Sequence, residues 1–194
     1  MREFLVVGAL LMGAYFWSGR EIGRPAGVLV AEEPVQRQVY TSLLRQKNGY
    51  HIALLASFDI RARVIAAERY RFDRGAALSP VDLALGWGAM SDSDVLKQIS
   101  ISQGGRLFSW WVNKDYPVPR NVIETHSANM HMIPANDDIE RRLKSIRAGN
   151  LVHITGYLVE ATNNDGFRWK SSLTRTDTGA GACELVWVES LDAW

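Results

Sequence analysis

The chain has 194 residues, 47% of them hydrophobic, enough to bury one ordinary core. Its 22 basic and 21 acidic residues leave a net charge of +1, which argues against a polyanion-binding surface and against nucleic acid as a partner. A single cysteine, Cys183, excludes an intrachain disulfide, and no C-x-x-C pair or Cys/His cluster points to structural zinc or to a cofactor.

The first element reads as a membrane signal. Met1, Arg2 and Glu3 precede an apolar run of fourteen residues that opens on Phe4 and ends on Trp17. As a helix this run spans roughly 21 Å at about 1.5 Å per residue. That is short of the ~30 Å hydrocarbon core and in the range of a signal peptide. No small-x-small cleavage site follows, however, and Tyr15, Phe16 and Trp17 suit a membrane interface. Residues 1–19 are therefore expected to be an uncleaved, single-pass anchor, with a cleaved signal and a secreted domain as the alternative. Arg2 on one side balances Arg20 and Arg24 on the other, so positive-inside counting does not orient the segment. The short tail ahead of it favours a domain outside the cytoplasm. Residues 20–34 carry Gly, Pro and charge without periodicity and read as a linker to one domain over 35–194.

Within that domain, Val35, Val39 and Leu43 give a weak helical spacing, and Asn48-Gly49 marks a turn. Residues 52–67 predict a strand, because Phe58, Ile60, Ala62 and Val64 alternate with Asp59, Arg61 and Arg63. Residues 73–92 are apolar and glycine-rich but irregular, which predicts a loop packed over a core. Ser91 to Asp94 can cap a short helix through Ile99. Residues 106–112 and 121–133 predict the second and third strands, the latter with neither face cleanly apolar.

A helix follows, capped by Asn136, started by Asp137 and Asp138 and closed by Gly149. Ile139, Leu143 and Ile146 form its apolar stripe, with the basic residues on a solvated face. Residues 151–161 predict a fourth strand, 163–166 a hairpin turn, and 167–173 and 183–190 the last strands. Cys183, Leu185 and Trp187 share one face of the last. The expected fold is mainly β (α+β), an OB-like barrel of five to six strands with one helix between strands 3 and 4. An open α+β sheet covered by one helix is the alternative.

The runs at 78–88 (LSPVDLALGWG), 127–134 (SANMHMIP) and 171–184 resemble a family of uncharacterised bacterial proteins with an N-terminal hydrophobic segment. The resemblance covers most of the chain after the linker. It implies a bacterial, envelope-associated setting and carries over no catalytic residue.

Three constellations could bear chemistry. Asp177-Thr178-Gly179 matches the short signature of dimeric aspartic proteases, but the polar residues before it and the few residues after it do not fit them. A glycine-rich loop held by Asp177 is the plainer reading. Gly179 and Gly181 lack the following lysine and helix of a nucleotide loop. Cys183 could be a nucleophile if His126 or His131 lowered its pKa, yet its alignment with Leu185 and Trp187 is that of a core residue. His126 and His131 are five apart, so on one strand they point to opposite faces and cannot share a metal.

Trp87, Trp110, Trp111 and Trp169, with Arg106, Arg168 and Arg175, could line a groove for a peptide, a glycan or a lipid headgroup. The sequence thus predicts a membrane-tethered, extracytoplasmic binding module in a bacterial envelope, non-enzymatic, meeting an envelope protein or a small ligand. A hydrolase using Cys183 or Asp177 with His126 or His131, and a structural subunit of an envelope complex, are the alternatives.

Overall fold

The computed structural model describes residues 20–174 and 181–194. The run at 4–17 with its expected anchor, and residues 175–180 with Arg175 and Asp177, lie outside the described residues. Among the described residues no helix is long and apolar enough to cross a membrane.

The organising element is β3 (Tyr50–Arg69), 20 residues long. One edge of it pairs in turn with β2 (Leu44–Lys47), β1 (Val35–Gln38) and β4 (Val81–Gly86). Its other edge pairs with β8 (Leu151–Thr162). From β4 the sheet continues to β7 (Ser127–Pro134) and then β10 (Glu184–Ala193), which lies against β8. Since β8 returns to β3, the pairings β3-β4-β7-β10-β8 run round a ring. All are antiparallel except β7 with β10. At Gly156 of β8 a Cβ would stand 1.9 Å from the Trp187 carbonyl oxygen, so no other residue fits without moving β10.

Alternate residues of these strands feed two apolar clusters. Phe58, Ile60, Leu83, Met130, Met132, Leu158 and Val186 join the first, which also takes the stripe Ile139, Leu143 and Ile146. That stripe comes from α3, a helix that is introduced by its cap. Asn136 Oδ1 accepts from the Ile139 amide at 3.0 Å and starts α3 (Asp137–Ser145), as the sequence predicts. The neighbours Ile133, Val159, Leu185 and Trp187 join a second cluster on the opposite face.

Four local expectations are corrected. Residues 35–47 form β1 and β2, where a weak helix was expected. The loop expected over 73–92 contains β4, buried at all six positions; a strand covered on both faces shows no alternation. Residues 106–112 do form a strand, β6 (Leu107–Trp111), but among the described residues it pairs only with β5 (Ser100–Gly104) in a separate hairpin. The third strand begins at Ser127, because α2 (Arg120–Thr125) starts directly after Pro119 and turns Ile123 inward. The short helix expected after Ser91 is present as α1 (Ser93–Leu96), capped by Asp92 and ending before Ile99, so α2 is the helix that was not expected.

Residues 20–34, expected as a linker, lie along the domain. The Ile22 amide donates to Ala148 O at 2.9 Å, Arg24 Nε to Gly149 O at 2.7 Å, and Leu29 N to Ser91 Oγ at 3.0 Å. Arg63, expected on a wet face, is 3% exposed beneath this segment and donates to Ser93 Oγ at 2.7 Å. Burial pulls its guanidinium below the usual arginine range, opposed by Glu21.

Candidate ligand-binding cleft

A cleft of about 630 Å³ opens where the β5–β6 hairpin faces the sheet. One wall is β6, a second is α2 with Tyr116 ahead of it, and the floor is the start of β7 and of β10. The aromatic side chains are placed by their neighbours. Trp110 packs toward Met90, Ile99 and Ile123, a third apolar cluster that anchors the hairpin. Tyr116 meets it edge-on, with ring centroids 6.3 Å apart and planes at 82°. The Arg120 guanidinium lies 5.6 Å above Trp110 and donates from Nε to Glu124 Oε1 at 2.9 Å. That hydrogen bond raises the Arg120 pKa further above its ordinary value.

Beside the floor a polar network ties the hairpin to the sheet. Asp82 on β4 and His131 on β7 are register partners, and both side chains are almost fully buried. Arg106, at the hairpin turn with φ +69, donates to Asp82 Oδ1 at 2.6 Å and to both Asp73 oxygens at 3.0 Å. Its guanidinium stacks 3.6 Å from the centre of the Tyr70 ring, and the Tyr70 hydroxyl accepts from the Arg106 amide at 3.0 Å. Burial pushes the Tyr70 phenol above its usual range. His131 Nδ1 lies 2.9 Å from Asp82 Oδ2, an ion-pair separation whose direction is not that of a hydrogen bond. Asn129 completes the network: it accepts from Gln103 Nε2 at 2.7 Å, and its amide group lies 3.3 Å from Arg106 O and 3.8 Å from Cys183 Sγ.

The residues singled out from the sequence fall into separate places. Trp110, Trp111 and Cys183 line the cleft. Arg106 and His131 belong to the network, with Trp169 covering it: its ring lies 4.6 Å from that of His131 and 5.5 Å from Arg106. Trp87 is fully buried and donates to Glu33 Oε2 at 2.7 Å. His126 contacts the other oxygen of Glu33 at 3.1 Å, so the two histidines sit in different surroundings. Arg168 is exposed on β9 (Arg168–Lys170) and pairs with Glu160. Among the described residues no three His, Cys, Asp or Glu side chains gather as metal ligands.

Sequence reasoning did not single out Tyr116, Arg120, Asn129 or Glu184 in the cleft, or Asp82 in the network. A polar residue inside an apolar run is the signal that could have found Asp82, since a buried carboxylate needs a partner. Comparisons with protein-family models, with curated proteins and with solved structures find no match for this chain.

Proposed function

We propose that the protein is a non-enzymatic ligand-binding module, tethered to a bacterial cytoplasmic membrane through residues 4–17 with its domain outside the cytoplasm. The domain is an OB-type barrel. Three features support that fold: the ring order of the five strands, the single parallel pair between the third and fifth of them, and α3 between the third and fourth. The observation that carries the binding reading is the cleft of about 630 Å³, of ligand-pocket size, with aromatic walls on anchored elements.

The test is a thermal-shift panel of oligosaccharides, oligonucleotides and short peptides on the full chain in lipid nanodiscs. A binder present at about a hundred times its Kd adds about 2.7 kcal/mol of stability, and the gain is expected to vanish in Trp110→Ala. A panel without a single binder overturns the reading. For the tether, a C-terminal reporter active only in the cytoplasm is expected to stay silent, and a positive signal reverses the orientation.

A further inference from the structure

We infer that the cleft takes an extended polypeptide segment, which adds as a further strand to the free edge of β6. The inference rests on the cleft being a binding site and adds the class of molecule and its mode of binding. Successive side chains of a strand point to opposite faces, yet every residue from 107 to 112 lines the cleft. The cleft therefore runs along the backbone edge of β6 and not over one of its faces. The turn at one end fixes which groups that edge presents. Gly105 and Arg106 have φ of +58 and +69, a two-residue turn of the mirror-image type that closes on the pair Gly104 and Leu107. That closing pair exchanges its hydrogen bonds across the hairpin, and the exchange then skips every second pair. Leu107, Ser109 and Trp111 thus turn their backbone groups to β5, while Phe108 and Trp110 turn theirs to the cleft. Among the described residues those outward groups have no backbone partner.

The opposite rim is open too. β10 pairs with β7 only from Met130 onward, so Ser127 and Ala128 have no strand beside them on that edge among the described residues. An exposed edge is normally guarded by charge. β1 carries Arg37, β2 carries Arg45 and Lys47, and β9 carries Arg168 and Lys170, whereas β5 is mostly polar. β6 reads Leu-Phe-Ser-Trp-Trp, without a charge or a proline, although Leu107 is 65% and Trp111 50% exposed. An apolar edge left open in this way is a site for strand addition. A polypeptide main chain alternates N–H and C=O at the spacing of the edge, which a glycan or a nucleic acid does not. It also suits a lining of both hydrogen-bonding signs: donors such as Tyr116, Ser109 and the tryptophan indoles, and acceptors such as Thr125 and Glu184, with Arg120 and Glu124 bonded to each other. Tyr116 and Trp111 then stand beside alternate side chains of the added strand, which favours apolar residues there.

The experiment titrates the full chain in lipid nanodiscs with a library of capped octapeptides, with Val, Leu, Phe or Tyr at alternate positions and Thr or Ser between. Calorimetry is the readout, and cellotetraose and octathymidylate are titrated beside the peptides. At least one octapeptide is expected to bind. Of its two copies N-methylated at alternate amides, at least one is expected to bind tenfold or more weakly, because the methyl groups block the main-chain donors that face β6. Phe108→Pro removes one outward N–H and no bond to β5, and it is expected to weaken the parent peptide by a similar factor. If both N-methylated copies bind as well as their parent, the main chain is not what is read, and strand addition is overturned. If cellotetraose or octathymidylate binds and no octapeptide does, the ligand class is wrong while the binding module stands. If nothing binds, both readings fall. Chains that pair with one another in the nanodisc and separate in Phe108→Pro would fill the edge with a second copy, which overturns the partner assigned here.

Discussion

Met130 and His131 are neighbours on β7, yet they belong to different regions of the molecule. Met130 points into the ring among Leu83, Leu158 and Val186, where apolar side chains meet only one another. His131 points the other way, against Asp82 and beneath Trp169. The ring interior is held by area removed from water and tolerates exchanges that conserve volume. The outer face adds to its own apolar cluster the directional bonds of Asp82, Arg106 and Asn129, which specify one placement of the hairpin, and with it one shape of the cleft.

The comparison breaks most visibly at Gly156→Ala. The added methyl group would stand 1.9 Å from a backbone oxygen of β10, and a close-packed ring has nowhere to move it. A loss of about 4 kcal/mol or more is expected in urea denaturation, enough to leave much of the chain unfolded. A near-normal midpoint would mean that β8 and β10 are not in this register.

On the outer face the largest expected effect is that of Asp82→Ala, about 3 kcal/mol, because the partly buried Arg106 loses its closest carboxylate. A change below about 1 kcal/mol would mean that Asp73 alone satisfies the guanidinium.

These two positions also mark what the sequence discloses and what it hides. The wet side of β3, with Asp59 and Arg61, and the charged side of α3 write their burial as a period, so both were legible. On β4 both faces are covered and the period vanishes; Asp82 then looks like a loop residue in an apolar run. The cleft was legible only through its tryptophans, Trp110 above all, and through Cys183. Its floor depends on β7 lying beside β10, a pairing between residues more than fifty positions apart that no local pattern encodes.

Asn129→Ala sharpens the comparison without removing a charge. It leaves Gln103 Nε2 and the Arg106 carbonyl without their side-chain partner, which costs about 1–2 kcal/mol. Hydrogen exchange should quicken across β5 and β6 while β8 keeps its protection. Uniform quickening would show that the hairpin and the ring are one cooperative unit.

The smallest effect is a dependence on pH, through Tyr70. Its phenol is raised above the ordinary value of 10.0, chiefly by burial. A raised value means that the folded state holds the proton more tightly than the unfolded chain. The stabilisation is then full below about pH 10 and is lost as pH rises through the folded value. In Tyr70→Phe the ring still stacks on Arg106, but the Arg106 amide loses its acceptor, so the variant should be about 1 kcal/mol less stable at pH 8. That gap should narrow above pH 10, because only the native phenol has a proton to lose. Denaturation midpoints of both proteins at pH 8 and pH 10.5 measure it, and taking their difference cancels the titration of every other group. A gap that widens with pH would mean that Tyr70 ionises more readily in the folded protein, the opposite of a ring buried against the outer network.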